Sequence, residues 1–220
     1  MTFESSNRLL AGVRRFRREV YPGQQAVYEQ AVRQAQNPDT LFITCADSRI
    51  DPELLTHSGP GDLFVTRNIG NLVPAYGEML GGVSAVIEYA VAGLEVENIV
   101  ICGHADCGAM KALLRPESIS KMPTVKAWLR NAAAALSVVE ARNPAPITDD
   151  SLEDLTEANV LLQMNHLRTH PSVAGKVAQG TLTIHGWVYE IGTGTIRIYD
   201  DSANRFVLVS DSENASELIK

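Results

Sequence analysis

Two apolar runs that each end in a cluster of metal-ligating side chains constrain this chain more than any other feature. Leu41-Phe42-Ile43-Thr44 leads into Cys45-Ala46-Asp47-Ser48-Arg49, and Asn98-Ile99-Val100-Ile101-Cys102 leads into Gly103-His104-Ala105-Asp106-Cys107-Gly108. Unbroken apolar runs of this length read as strands buried on both faces, the pattern of a parallel sheet. A further run, Asp62-Leu63-Phe64-Val65-Thr66, follows the turn Gly59-Pro60-Gly61. Helical stretches lie between them, one opened by Asp51-Pro52 and one over residues 83 to 93 closed by Gly93. Strands alternating with helices predict an α/β fold with right-handed crossovers, which binds ligands beyond the carboxyl ends of its strands.

The flanks extend this plan. Leu9, Leu10, Val13, Phe16 and Val20 recur at helical spacing with arginines on the other face, and a second helix over 23 to 36 ends before Asn37-Pro38. Residues 1–36 therefore read as an N-terminal helical arm that docks on the body or on a second subunit. Helices are expected over 123–142 and 151–170, separated by the acidic, Pro-containing turn Asn143 to Asp150. Thr181 to Ile191 and Thr195 to Tyr199, joined by Gly192-Thr193-Gly194, read as a hairpin. The expected architecture is one domain over 1–220: a mostly parallel sheet with an antiparallel edge strand and helices on both faces.

Composition excludes several function classes. A net charge of -7 opposes general nucleic-acid binding, which needs clustered basic surface. No apolar run approaches a membrane span, and arginines interrupt any signal-like segment at the N-terminus. The expectation is a cytoplasmic protein. Three cysteines, an odd number at wide spacing, fit reduced thiols or metal ligands better than a disulfide framework.

The strand-tip chemistry is that of a catalytic zinc site, which takes three protein ligands and leaves one position for water. Cys45 ends one strand, and His104-x-x-Cys107 ends another with a spacing that lets one turn fold both side chains onto one metal. If those strands are neighbours, the three groups converge at the switch point of the sheet. Cys102 lies inside its strand and reads as a small buried hydrophobe. Asp47 and Arg49 add a carboxylate that can accept a hydrogen bond from the water and a guanidinium that can hold it. Asp47 also has a competing use as a fourth zinc ligand, closing the site. In isolation the same pair reads as an ordinary surface ion pair.

CADSR at 45–49 with GHADCGAMK at 103–111, together with RNIGN at 67–71 and IEYAV at 87–91, resembles the β-class carbonic anhydrases, in detail those of cyanobacterial and plant type. The similarity runs from about residue 8 to residue 200. The resemblance implies one Zn2+ per subunit on Cys45, His104 and Cys107, with Asp47 and Arg49 as a catalytic dyad. It implies that zinc-bound hydroxide attacks CO2 to give bicarbonate and a proton, and that the chain is a homodimer or a dimer of dimers. By the same resemblance Gln36 and the backbone N–H of Gly108 bind substrate, and Phe64, Ile69 and Tyr89 form an apolar wall supplied partly by the partner subunit. Gln36 also reads as a helix-end residue, and Phe64 and Ile69 as core. The bicarbonate-inhibited subclass carries a tryptophan where this chain has Phe42, so no bicarbonate effector site is expected even though Arg67 and Tyr189 match that subclass. Two other readings share the zinc site: hydrolysis of COS or CS2 on the same fold, and a non-catalytic zinc domain that senses bicarbonate or serves as an assembly module.

Overall fold

The computed structural model describes residues 2–77, 81–142 and 147–209, with side chains from residue 7 onward. Residues 143–146, the first half of the acidic turn, lie outside the described residues. The chain divides into two compact units, Met1–Asn37 and Pro38–Lys220.

The first unit is helical: α1 (Thr2–Arg15), a π-helical turn over Phe16–Val20, and α2 (Tyr21–Arg33). Pro22 sits in the first turn of α2, where its missing N–H costs nothing. The second helix ends at Arg33 rather than near 36, because Gln34 is already extended. Tyr21 and Tyr28 stack at 5.4 Å and Phe16 meets both edge-on. No residue described in the π turn or α2 is buried, and Leu9, Leu10, Val13, Phe16 and Val20 remain exposed. The apolar stripe read from the sequence is present and uncovered.

In the second unit the strands are β1 (Thr40–Cys45), β2 (Leu63–Asn68), β3 (Asn98–His104), β4 (Thr183–Glu190), β5 (Thr195–Asp200) and β6 (Arg205–Leu208). Their order is β2-β1-β3-β4-β5-β6, with the first four parallel and the last two pairings antiparallel. The antiparallel edge is thus two strands, one more than the sequence suggested. Because β2 and β3 flank β1 on opposite sides, the crossover direction reverses at β1, and a crevice opens at its carboxyl end.

The helices of this unit are α3 (Pro52–Leu55), α4 (Gly82–Glu88), α5 (Gly108–Leu114), α6 (Pro123–Trp128), α7 (Ala133–Arg142), α8 (Leu152–Arg168) and α9 (Pro171–Ala178). A π turn, Tyr89–Gly93, extends α4 to the expected Gly93, and a 3-10 turn, Leu129–Ala132, breaks the long helix expected over 123–142. On one face of the sheet Leu41, Ile43, Ile99 and Ile101 pack with Ile87, Val160, Met164 and Val173. The other face carries Phe42, Val100 and Cys102 with Leu55 and Trp187 against them. Cys102 is fully buried there, as its place inside the strand implied. Among the described residues no helix is long and apolar enough to cross a membrane.

Helix α8 lies against the sheet on one side and against α5 and α7 on the other, and two glycines let it come close. A Cβ on Gly186 would stand 2.6 Å from Met164 Sδ and 2.9 Å from Val160 Cγ1, and one on Gly103 would stand 2.8 Å from Val160 Cγ2. The methionine end can swing aside, but the branched valine cannot. Gly186→Ala is expected to lower stability by about 1–3 kcal/mol through overpacking. An unchanged urea midpoint with unchanged slope would show that the α8–sheet contact is looser than described.

Candidate metal centre

The three candidate ligands arrive from two neighbouring strand tips and one helix start. Cys45 ends β1, His104 ends β3, and Cys107 caps α5 in extended conformation. Between the last two, Asp106 takes a left-handed φ of 60°, which folds the chain back within three residues. The sulfur and nitrogen ligand atoms all lie within 4.8 Å of one another, and all three residues are buried. His104 Nδ1 lies 2.8 Å from the carbonyl oxygen of Ala105. A carbonyl only accepts, so that nitrogen carries the proton and Nε2 is left with its lone pair. Nε2 is buried and has no hydrogen-bond partner among the described residues. Two sulfurs and an orphaned imidazole nitrogen fit a borderline-soft cation such as zinc.

The thiols are strongly perturbed and act as a pair. Cys45 is lowered from the ordinary thiol range by the Cys107 side chain first, then by His104 and by the N–H groups of Gly70 and Asp47, against the opposing effect of burial. Cys107 is pushed up by the Cys45 sulfur and by burial. One anion therefore suppresses the second, and a cation between them removes the conflict. Cys102 is pushed up to about 12 by burial and takes no part.

Asp47 and Arg49 form a fork rather than a loose surface pair. Asp47 Oδ1 accepts from the Arg49 backbone N–H at 3.0 Å and from Nε at 2.9 Å, and Oδ2 accepts from Nη2 at 2.8 Å. Arg49 Nη1 donates to Asp106 Oδ2 at 2.8 Å, and Lys111 Nζ closes the row on Asp106 Oδ1. The Arg49 side chain holds the Asp47 carboxyl well below the usual carboxylate range. Both oxygens of Asp47 are engaged by Arg49. Arg67 steadies the backbone beneath, donating to the carbonyls of Cys45 at 3.1 Å and Asp47 at 2.6 Å.

A largely apolar cavity of about 310 Å³ opens beside Cys45 and Asp47, with Ile69, Gly108, Ala112, Ile119, Met122 and Val125 among its walls. Ile69 and Gly108 thus join the candidate ligands. Phe64 and Tyr89 do not: their rings pack on each other at 5.9 Å, and Tyr89 is 53% exposed. Gln36 is exposed in the coil after α2, within the first unit. Asp106 was legible as a carboxylate inside GHADCG, yet its contact with Arg49 joins residues far apart in sequence. Ile119, Met122 and Val125 carried no signal, since short helical turns do not reveal which face meets a cavity.

The carbonic anhydrase family model matches residues 40–196. A carbonic anhydrase of Pseudomonas aeruginosa is 47% identical over 204 residues, covering 92% of this chain and 91% of its own. A solved structure of the β-carbonic anhydrase CcaA superposes with a TM-score of 0.90 at 38% identity, covering 96% of this chain and 94% of that one. One of two tetrameric β-carbonic anhydrases of Sordaria macrospora gives a TM-score of 0.64 at 29% identity, covering 88% and 93%.

The perturbed thiols give a direct expectation. Metal-free protein at neutral pH should show the ultraviolet absorbance of one thiolate, lost on acidification, absent in the double variant Cys45→Ala, Cys107→Ala and retained in Cys102→Ala. Absorbance from two thiolates, or from none, would contradict the pairing.

Proposed function

This chain belongs to the β-class carbonic anhydrase family, and we propose that it catalyses the reversible hydration of CO2 to bicarbonate and a proton, with zinc held by Cys45, His104 and Cys107. The observation that carries the reading is the convergence of these three buried ligand atoms beside an Arg-pinned carboxylate at an apolar cavity. Zinc held there would supply a Lewis acid that makes a water more acidic.

The chain's own residues supply the rest. Asp47 accepts a hydrogen bond from the nucleophilic water and thereby aims it. Because Arg49 keeps that carboxylate ionised, it goes on accepting through the neutral range instead of becoming a donor. Ile69, Met122 and Val125 hold a small apolar substrate and exclude bulk water. Gly108, at the first position of α5, offers its backbone N–H to a substrate oxygen. Gln36 is assigned to substrate binding on the family resemblance alone. Three free cysteines agree with a reducing, cytoplasmic setting.

The reading also includes at least a homodimer. The uncovered stripe Leu9, Leu10, Val13, Phe16 and Val20 needs a partner surface, and an exposed Tyr89 beside Phe64 is available to a second copy's cavity. A relative described as tetrameric supports it. Sedimentation of the double variant Leu9→Glu, Val13→Glu is expected to show a smaller assembly than the parent; an unchanged assembly would count against this use of the arm.

Zinc content and stopped-flow CO2 hydration test the activity. Cys45→Ala should lose zinc and turnover together. Asp47→Asn and Arg49→Ala should keep zinc and lower turnover by about 10–100-fold, the range typical of groups that orient metal-site ligands. In the parent enzyme the rate should climb from neutral to alkaline pH while Asp47 stays ionised throughout. Full turnover by zinc-free Cys45→Ala would overturn the proposal.

A further inference from the structure

One peptide group touches both the metal centre and a distant side chain. The Gly70 N–H points at Cys45 Sγ, 3.4 Å away. The carbonyl of that same peptide, on Ile69, accepts from the indole Nε1 of Trp128 at 2.9 Å. The next carbonyl, on Gly70, accepts from Asn159 Nδ2 at 3.2 Å. Gly70 has φ 79°, and a Cβ there would stand 2.9 Å from Ala109 Cβ, so this position holds glycine for two independent reasons. The backbone is thus held where its N–H reaches sulfur.

We propose that Trp128 is a positioning residue that tunes the Cys45 ligand through the Ile69–Gly70 peptide, the donor chain running from indole N–H to carbonyl and from amide N–H to sulfur. The inference rests on the zinc-site reading above. A hydrogen bond accepted at a carbonyl polarises its own amide and strengthens the bond the N–H donates. A stronger bond to the sulfur withdraws charge that the thiolate would otherwise give to the metal. Two thiolates already neutralise a divalent cation, so drawing charge from one of them leaves a more acidic centre. Trp128 is half-buried at the end of α6, and its indole N–H reaches the sulfur through the loop peptide.

Cobalt substitution reads the sulfur directly, because the thiolate-to-cobalt charge-transfer absorption depends on the energy of the sulfur lone pair. Trp128→Phe keeps the ring and removes the donor. It is expected to move that absorption to longer wavelength and, because the sulfur then gives more charge to the metal, to slow cobalt loss to a chelator. Trp187→Phe is the control: its Nε1 has no hydrogen-bond partner among the described residues, so its band and loss rate should match the parent. Should Trp128→Phe not fold, replacing both tryptophans of the chain by 3-benzothienylalanine keeps the shape and removes only the N–H. Folded, cobalt-loaded protein lacking the Trp128 donor, with the parent band and the parent loss rate, overturns the inference and leaves the zinc site standing. A parent protein that takes up no cobalt overturns the zinc-site reading and this inference with it.

Discussion

Two sulfur atoms and an imidazole nitrogen pressed into one buried spot form the constraint on which the rest of this structure depends. Burial raises the cost of each thiolate, and within the pair one sulfur ionises beside the other's S–H and its charge then holds the second in the thiol form. Such a cluster is stable in its fully ionised form only around a cation. The sheet order is what brings it about, since β1 sits between β2 and β3 and the tips of β1 and β3 end side by side. The apolar strands are therefore the rigid mounts for a charged centre they could not otherwise tolerate.

Outside the ligands, a row of alternating charges joins the two halves of the site. Asp47 and Arg49 belong to the loop after β1, and Asp106 and Lys111 to the turn and helix after β3. Each exposed pair by itself would contribute little. Linked in a row, with one guanidinium shared by two carboxylates, they fix the position of one loop relative to the other. The consequence is geometric: the Asp47 carboxylate cannot drift independently of the helix that Cys107 caps.

Much of this was legible in the sequence because it is local. Unbroken apolar runs disclosed β1 and β3, the HxxC spacing disclosed a turn that folds two ligands together, and Asp47-x-Arg49 disclosed a fork closed within three residues. What the sequence hid is mostly non-local. The four-residue strand β6 and the eight-residue helix α9 are too short for a periodic signal to separate from noise. The wall residues Ile119, Met122 and Val125 look like any apolar residues of short helices. Phe64 and Tyr89, read as a wall supplied partly by a partner subunit, pack on each other within one chain.

Helix α8 shows why a site can depend on residues that carry no chemical motif. A helix covered on both sides ought to be apolar all round, but α8 buries Thr156, Asn159 and Gln163. Thr156 donates to the Leu152 carbonyl of its own helix, and the partners of the other two explain the exception. Asn159 binds the Gly70 carbonyl, Gln163 accepts from Val73 N–H at 2.8 Å, and His166 Nδ1 meets the Val73 carbonyl at 2.7 Å. Just beyond the helix, His170 Nε2 lies 3.0 Å from the Pro74 carbonyl and Thr169 Oγ1 accepts from Tyr76 N–H. The segment after β2 is irregular and largely buried, so it has no strand or helix partners for its backbone, and leaving those groups bare would cost more than burying the side chains that satisfy them. The polar stripe on α8 is thus the complement of a buried backbone segment that turns at a left-handed Gly70 beside the Cys45 sulfur.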